Sequence, residues 1–312
     1  MAIGLAGLVV AQAMMARRRE GSQFATELVR LLKTIGDPIL TVGLSWTAMV
    51  TKLETGETAE VLRLAQHVID LADGDTTKGS LLIESPLTFA TYMRGSARCC
   101  VGTPGWKDDC RQAIAMSRAL TGDPTMLAGA VWYAYVVSIS NGARLTDATA
   151  LRDTAETLAI AEQSADDLAL LLARLTRGIT LIYHDGPEHD TGLDLIANAR
   201  DRASKEQFGL IPLAIADIHL AREKARLGDT DGAIELDETV VDNLFSSGGS
   251  MWSSLATSVL VEALLQQGDK GDLEAAQAAI DRLAAAPTDP ALRTERNLAA
   301  VHARSARTST WR

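Results

Sequence analysis

A glycine joins two apolar segments in the stretch Leu227-Gly228-Asp229-Thr230-Asp231-Gly232-Ala233-Ile234-Glu235, residues 227–235. The same arrangement, one helix-like segment before a glycine and a second after it, recurs along most of the chain. The glycines that mark it are spaced 40 to 46 residues apart and number six: Gly56, Gly102, Gly142, Gly186, Gly228 and Gly268. A period of this size predicts an array of helix pairs, with each glycine in the turn of a pair.

The composition favours helices throughout. Hydrophobic residues make up 47% of the 312 residues but aromatic residues only 4%, and alanine and leucine dominate. Both residues lose little side-chain freedom in a helix, and alternating strand-like patterns are nearly absent. We therefore predict an all-α fold, a right-handed α–α superhelix of about seven antiparallel helix pairs.

Prolines mark the start of several first helices, since a proline in the first turn loses no hydrogen bond. They predict first helices at residues 38–54, 86–101, 124–140 and 212–227. Apolar stripes at three- and four-residue steps predict second helices at 58–71, 109–120, 231–244 and 273–284. Gly36-Asp37-Pro38 with Trp46, and Gly122-Asp123-Pro124 with Trp132, lie 86 residues apart with matching offsets, which indicates an internal duplication.

The pattern predicts a single domain over residues 1–312, with an N-terminal helix pair at 1–35, repeats at 36–286, and a C-terminal capping helix and tail at 287–312. Residues 1–16 are almost all apolar and precede three arginines, Arg17 to Arg19. This run is shorter than the roughly 20 residues of a membrane span, and a secretory signal carries its positive charge first. We expect a buried helix in a chain cut from, or continuing, a longer array; a membrane-associated start is the alternative.

Charge and cysteines limit the possible functions. The net charge of −10 argues against broad nucleic-acid binding, which needs a basic surface. Cys99, Cys100 and Cys110 are an odd number with two adjacent, so they predict no disulfide framework but small buried side chains. A cytoplasmic protein is expected.

The stretch at 227–235 resembles the inter-helix turn of tetratricopeptide repeats, and Gly95 matches the glycine of that family's first helix. Tyr135, Ile179, Ala221 and Val261 stand where the other pairs would carry that glycine, and the period is about 42 instead of 34. Residues 92–98 and 105–110 are similar to the C-terminal arms of large bacterial, actinobacterial-type signalling ATPases. Those include LuxR-type regulators and proteins fused to adenylate cyclases. The resemblance implies a non-catalytic arm that holds a partner or senses an effector.

The sequence contains one candidate metal site. The run Tyr183–Asp190 holds two histidines and three carboxylates, which are possible ligands of a divalent metal. His184 and His189 flank a Gly-Pro turn, however, so we expect a hydrophilic turn without metal. No phosphate loop or dinucleotide motif is found, and no cofactor or enzymatic activity is predicted.

The residue ten positions before each of the six glycines forms a column. In tetratricopeptide arrays this position tends to face the concave groove, so the resemblance implies a groove wall for an apolar ligand or a partner helix. Its members are Trp46, Tyr92, Trp132, Thr176, Ile218 and Ser258. The alternative is that these rings fill space between neighbouring pairs.

Three functions follow from this sequence. The first is a regulatory interaction module of a bacterial signalling or transcriptional regulator, with a protein or peptide partner. The second is an effector-sensing arm with a small apolar ligand in the groove. The third is a detached C-terminal piece of an adenylate cyclase or ATPase regulator, inactive as it stands. None predicts direct nucleic-acid binding or a membrane span.

Overall fold

The structure, a computed structural model, describes residues 1–120, 122–206 and 210–286. Within these ranges it has fourteen α-helices and no strand, so the predicted all-α class is confirmed. The predicted C-terminal capping helix and tail at 287–312 lie outside the described residues.

The helices alternate between two positions in the array. The odd-numbered helices are the first members of the pairs: α1 (Ala2–Met14), α3 (Pro38–Glu54), α5 (Pro86–Cys100), α7 (Pro124–Ser140), α9 (Asp167–Ile182), α11 (Leu210–Arg226) and α13 (Ser253–Gln267). The even-numbered helices are the second members: α2 (Arg18–Ile35), α4 (Thr58–Ala72), α6 (Trp106–Ala119), α8 (Ala148–Gln163), α10 (His189–Glu206), α12 (Thr230–Ser247) and α14 (Asp272–Ala285).

Local capping explains why α3 and α7 begin at the predicted prolines. The Asp37 side chain accepts a hydrogen bond from the backbone N–H of Ile39 at 2.8 Å. Asp123 accepts one from Met126, also at 2.8 Å. A proline in the first turn has no N–H that needs a partner, so the Asp-Pro pair starts both helices alike. The predicted start of α11 at Pro212 is late, since the helix already includes Leu210 and Ile211.

Five of the six turn glycines adopt the left-handed conformation that favours glycine, with φ between 69° and 90°. The exception is Gly186, whose φ lies outside that region. In the other pairs the glycine is one or two residues past the first helix, but α9 ends at Ile182. His184 therefore holds the equivalent position, and Gly186 is out of register by two residues. The prediction that all six glycines close equivalent turns is wrong for this one.

The odd-numbered helices form an inner layer in which each packs against the next, from α1 to α13. Even-numbered helices pack outside them, between the first helix of their own pair and that of the following pair. The inner helices are accordingly buried around most of their circumference, and α7 buries every residue from Met126 to Trp132. An outer helix buries only a stripe, as α4 does with Val61, Ala65 and Val68.

One continuous cluster of buried apolar side chains runs from Ala2 in α1 to Ala276 in α14. Glycines allow the closest helix contacts along it. A β-carbon on Gly95 in α5 would lie 3.0 Å from the sulfur of Cys110 in α6. This cluster is the unbroken hydrophobic spine expected from the repeat pattern.

The array also closes back on itself, which the repeat pattern did not predict. The Arg18 guanidinium in α2 donates to the Ser247 hydroxyl at the end of α12, at 2.6 Å. The backbone N–H groups of Ser250 and Met251 donate to the Glu54 carbonyl at the end of α3, at 2.9 and 3.2 Å. The turn between α12 and α13 is therefore held against the second and third helices, and we call this contact the closure joint.

Helix α1 is less buried than expected. Ala2, Ala6 and Val9 pack inward, but Ile3 and Leu8 are exposed on the opposite face. In the part of the chain that the structure describes, no helix has both the length and the apolar character that crossing a bilayer requires.

Candidate functional site

Four of the six members of the predicted groove column are buried, and the other two, Trp46 and Ser258, are partly exposed. The exposed fractions of Tyr92 and Trp132 are 3% each, and Thr176 and Ile218 are also buried. Trp46 is half-buried, and its indole nitrogen has no hydrogen-bond partner among the described residues. These side chains lie inside the inner helix layer, as the packing alternative predicts. A ligand contact at the column stays a prediction.

Aromatic contacts connect three inner helices at this level. Trp46 meets Phe89 edge-on with ring centroids 5.8 Å apart, and Phe89 meets Tyr92 at 4.6 Å. Tyr92 then stacks on Tyr133 at 5.3 Å, so Tyr133 and not Trp132 continues the series. Such pairs contribute about 0.5–1.5 kcal/mol each beyond their buried area. The sequence analysis did not single out Phe89 or Tyr133.

The polar run at residues 183–190 does not gather into a metal site. The Nε2 atom of His189 lies 3.0 Å from a Glu223 carboxylate oxygen in α11, and His184 is part of the turn. Across the described ranges, no three His, Cys, Asp or Glu side chains lie together in a way that could hold a metal ion.

The three cysteines are buried, as predicted. Burial raises the pKa of the Cys110 thiol to about 12. Because the thiolate is the reactive form of cysteine, this side chain is chemically inert at neutral pH.

A cleft of about 240 Å³ lies at the ends of several inner helices. One wall is the end of α7 with the following turn, the opposite wall is α13, and Tyr183 and Arg222 lie between them. We call it the α7–α13 cleft. Its lining residues are Ile139, Ser140, Asn141, Gly142, Arg144, Leu145, Thr146, Tyr183, Arg222, Ser254, Leu255, Ser258, Val259 and Glu262.

Backbone geometry holds the α7–α8 turn in place as one wall of the cleft. Gly142 has a φ of 69°, and the N–H of Arg144 donates to the Ser138 carbonyl at 3.0 Å. The Arg144 guanidinium lies 4.6 Å from the centre of the Tyr135 ring and 3.3 Å from the Asp147 carboxylate. Asp147 also caps α8. This wall is therefore formed before any ligand arrives.

Arg222 brings a positive charge into the middle of the cleft. Its guanidinium donates to the Tyr183 hydroxyl at 2.6 Å and lies 5.3 Å from the centre of the Tyr183 ring. Burial lowers the pKa of Arg222, but Tyr183, Glu262 and Glu223 together outweigh that effect and raise it. Among the described side chains, no carboxylate lies within 4.0 Å of this guanidinium.

A chain of polar contacts leads from Arg222 to Ser140. The Tyr183 hydroxyl lies 3.5 Å from Nδ1 of His219, and Nε2 of His219 lies 3.2 Å from the Ser140 hydroxyl. Arginine can only donate, so the Tyr183 oxygen accepts from Arg222. The Tyr183 hydroxyl can still either donate to Nδ1 or accept from it, so the direction of the His219–Ser140 hydrogen bond depends on the imidazole tautomer.

The imidazole in this Ser–His contact is a weak base. A nucleophilic serine needs a base that accepts its proton. Burial, with the nearby Arg222 charge, lowers the pKa of His219 to about 3. An imidazole with so low a pKa is a poor base at neutral pH. The Ser140 hydroxyl also lines the cleft, and a hydroxyl group can both donate and accept hydrogen bonds.

Sequence reasoning found this site only in fragments. Ser258 belongs to the predicted column, and Tyr183 was noted only as the first residue of the polar run. Ser140, Arg222 and Glu262 come from three different helix pairs. No local motif connects them, because only the curvature of the array brings their helices together.

No protein-family model matches the sequence, and the search of curated proteins found no match either. The resemblances described above rest on the residues alone.

Proposed function

We propose that this chain is a non-catalytic regulatory module of a bacterial cytoplasmic signalling protein, built as a right-handed superhelix of the tetratricopeptide type. In this proposal it senses a small effector, and the effector lies in the α7–α13 cleft. The observation that carries the proposal is the cleft itself, where Ser140, Tyr183 and α13 surround the Arg222 guanidinium, which has no carboxylate partner among the described side chains.

The packed inner layer supports an effector over a peptide in a long groove. Tyr92, Trp132 and Ile218 have little surface to offer a partner helix, because neighbouring helices already cover them. The cleft, in contrast, exposes hydroxyl groups, both charges and apolar side chains within one small volume. This mixture is typical of sites for small molecules. An arm that holds a protein partner, or a detached cyclase or ATPase piece, is the alternative.

The closure joint supports a regulatory role. Met251 and Trp252 are fixed at the joint, and α13 begins at the next residue and forms a wall of the cleft. A ligand that contacts both walls binds the closed form better than an opened one. It therefore shifts the equilibrium between them by its differential affinity.

Native mass spectrometry of the protein purified from its source cell tests the proposal. We expect a retained small molecule in the wild type and in Ser204→Trp, which changes an exposed serine of α10 outside the cleft. In Ser258→Trp the indole fills the cleft, and the small molecule should be lost. Retention of the molecule by Ser258→Trp would contradict the site. Ester cleavage or cyclic nucleotide formation by the purified chain would contradict the non-catalytic role.

A further inference from the structure

The α7–α13 cleft carries one available group of each charge. Arg222 uses one N–H for Tyr183 and has no carboxylate partner within 4.0 Å among the described side chains. A guanidinium has five N–H donors in a planar fork that matches a carboxylate. Arg222 therefore offers a site for an anionic group that no described side chain fills.

Glu262 supplies the opposite charge from α13. Its side chain is exposed at the cleft, and it forms no ion pair with the described basic side chains. Glu262 is nonetheless close enough to raise the pKa of Arg222 through its charge. The two groups face the same space but are too far apart to neutralise each other directly.

The remaining walls fit a short aliphatic group. Leu255 and Leu145 present partly or fully exposed side chains to the cleft, and Val259 lies behind them. Ser140 and Ser258 add hydroxyl groups. The volume of about 240 Å³ suits a molecule smaller than a drug-sized ligand, since those occupy sites of about 300–1,000 Å³.

We propose that the cleft binds a free α-amino acid with an aliphatic side chain, with its carboxylate on Arg222 and its ammonium group on Glu262. This inference rests on the proposed function and names the chemistry of its effector. A zwitterion bridges the two protein charges and satisfies both. A simple anion brings a second negative charge to Glu262, and a simple amine brings a second positive charge to Arg222, so the cleft disfavours each.

Calorimetric titration with three matched probes tests this arrangement. L-leucine carries both charges, 4-methylpentanoate lacks the ammonium group, and 3-methylbutylamine lacks the carboxylate. We expect L-leucine to bind at least about tenfold more tightly than either analogue, since a charge-assisted contact contributes about 1.5–3 kcal/mol. Equal or tighter binding of either analogue overturns the proposal, and so does the absence of L-leucine binding.

Charge variants assign the two contacts. Glu262→Gln should weaken L-leucine binding about tenfold or more, because the ammonium group loses its partner. The same change should improve the binding of 4-methylpentanoate relative to that of L-leucine, because the repulsion between Glu262 and the anion is removed. The matched control is Glu274→Gln, which changes an exposed glutamate on α14. It should change the affinity for neither L-leucine nor 4-methylpentanoate. Unchanged L-leucine binding in Glu262→Gln overturns the ammonium contact.

Arg222→Gln should abolish the preference for a carboxylate in the same titrations. Arg222 also holds Tyr183, so Arg222→Lys, which keeps the charge, should retain measurable L-leucine binding. If Arg222→Gln does not fold, the Glu262 variant and the three probes still decide the proposal. If Ser258→Trp loses a retained molecule that is not an amino acid, this inference fails and the proposed function stands. If Ser258→Trp keeps its ligand, the proposed function fails.

Discussion

Gly178 and Gly192 let α9 and α10 approach until their backbones touch. A β-carbon on Gly178 would lie 2.7 Å from a side-chain carbon of Ile196 and 2.8 Å from the Gly192 carbonyl oxygen. A β-carbon on Gly192 would lie 2.9 Å from the Gly178 carbonyl oxygen. The tetratricopeptide pattern places the first-helix glycine of this pair at position 179, which is occupied by isoleucine. The glycine that makes the contact, Gly178, lies one residue earlier. Both glycines are needed for packing, not for backbone conformation.

Gly178→Ala should therefore destabilise the protein by about 1–3 kcal/mol, the usual cost of overpacking a core. Urea unfolding followed by circular dichroism measures this change. Gly7→Ala is the control, because a β-carbon on Gly7 meets nothing within 4 Å. That variant should be neutral or stabilising by up to about 1 kcal/mol, from higher helix propensity. Equal effects of the two changes would contradict the close contact.

At the scale of elements, the turn within a helix pair usually contains a left-handed residue, and the α9–α10 turn is the exception. Gly142 and Gly228 have φ values of 69° and 90°, and a β-carbon at either would meet nothing within 4 Å. A substitution there costs only backbone strain. The two turns differ in surroundings, since Gly142 lines the α7–α13 cleft and Gly228 does not.

Gly142→Ala and Gly228→Ala should each cost about 1–2 kcal/mol of stability, the penalty of a β-carbon in the left-handed region. Thermal unfolding measures both. Only Gly142→Ala should also weaken the binding of a ligand in the cleft, because it strains one wall. Weaker ligand binding in Gly228→Ala to the same degree would show that the effect is global and not local to the α7–α8 turn.

The whole molecule is held closed by a joint that contains a buried carboxyl group. Glu54, Arg18 and Trp252 are almost fully buried there, and neither Oε2 of Glu54 nor Nε of Arg18 has a hydrogen-bond partner in the part of the chain that the structure describes. Burial raises the pKa of Glu54 to about 7, although the Arg18 charge and the Trp252 indole oppose the shift. The joint therefore favours the protonated form of Glu54.

This pKa makes the stability of the closed molecule depend on pH. The folded state holds the Glu54 proton more tightly than the unfolded chain, whose glutamate titrates near 4.5. The stabilising contribution of the Glu54 proton is complete below about pH 4.5. It falls as the pH rises through about 7 and is lost above that value. A shift of this size corresponds to about 3 kcal/mol. Asp217 and Asp237, whose pKa values burial also raises, contribute with the same sign.

Glu54→Gln should remove the Glu54 part of this slope while keeping the size of the side chain. Urea unfolding should show that the free energy of unfolding falls more between pH 5 and pH 8 in the wild type than in Glu54→Gln. The exposed Glu20→Gln is the control and should follow the wild type. An equal change in the free energy of unfolding between the two pH values in the wild type and in Glu54→Gln would contradict the raised pKa.

The sequence predicted most of the elements because local interactions define them. The starts at Pro38 and Pro124 depend on Asp-Pro capping within one turn, and α3 and α7 have the predicted bounds. Gly186 was assigned to the wrong position, because spacing alone cannot distinguish a turn glycine from a glycine two residues further on. The column of Trp46, Tyr92 and Trp132 was correctly placed on the inner helices. Whether that face is open depends on the curvature of the array.

By itself, the sequence determined helix pairs, their turns and a continuous apolar face, since these depend on residues within a few positions of each other. Only the tertiary structure decided the closure joint and the cleft. Arg18 and Ser247 are 229 positions apart, and Ser140 and His219 are 79 apart. Such contacts arise from small rotations between successive pairs, summed over the array. No single repeat encodes that sum, so the site where charges and hydroxyl groups meet became visible only in three dimensions.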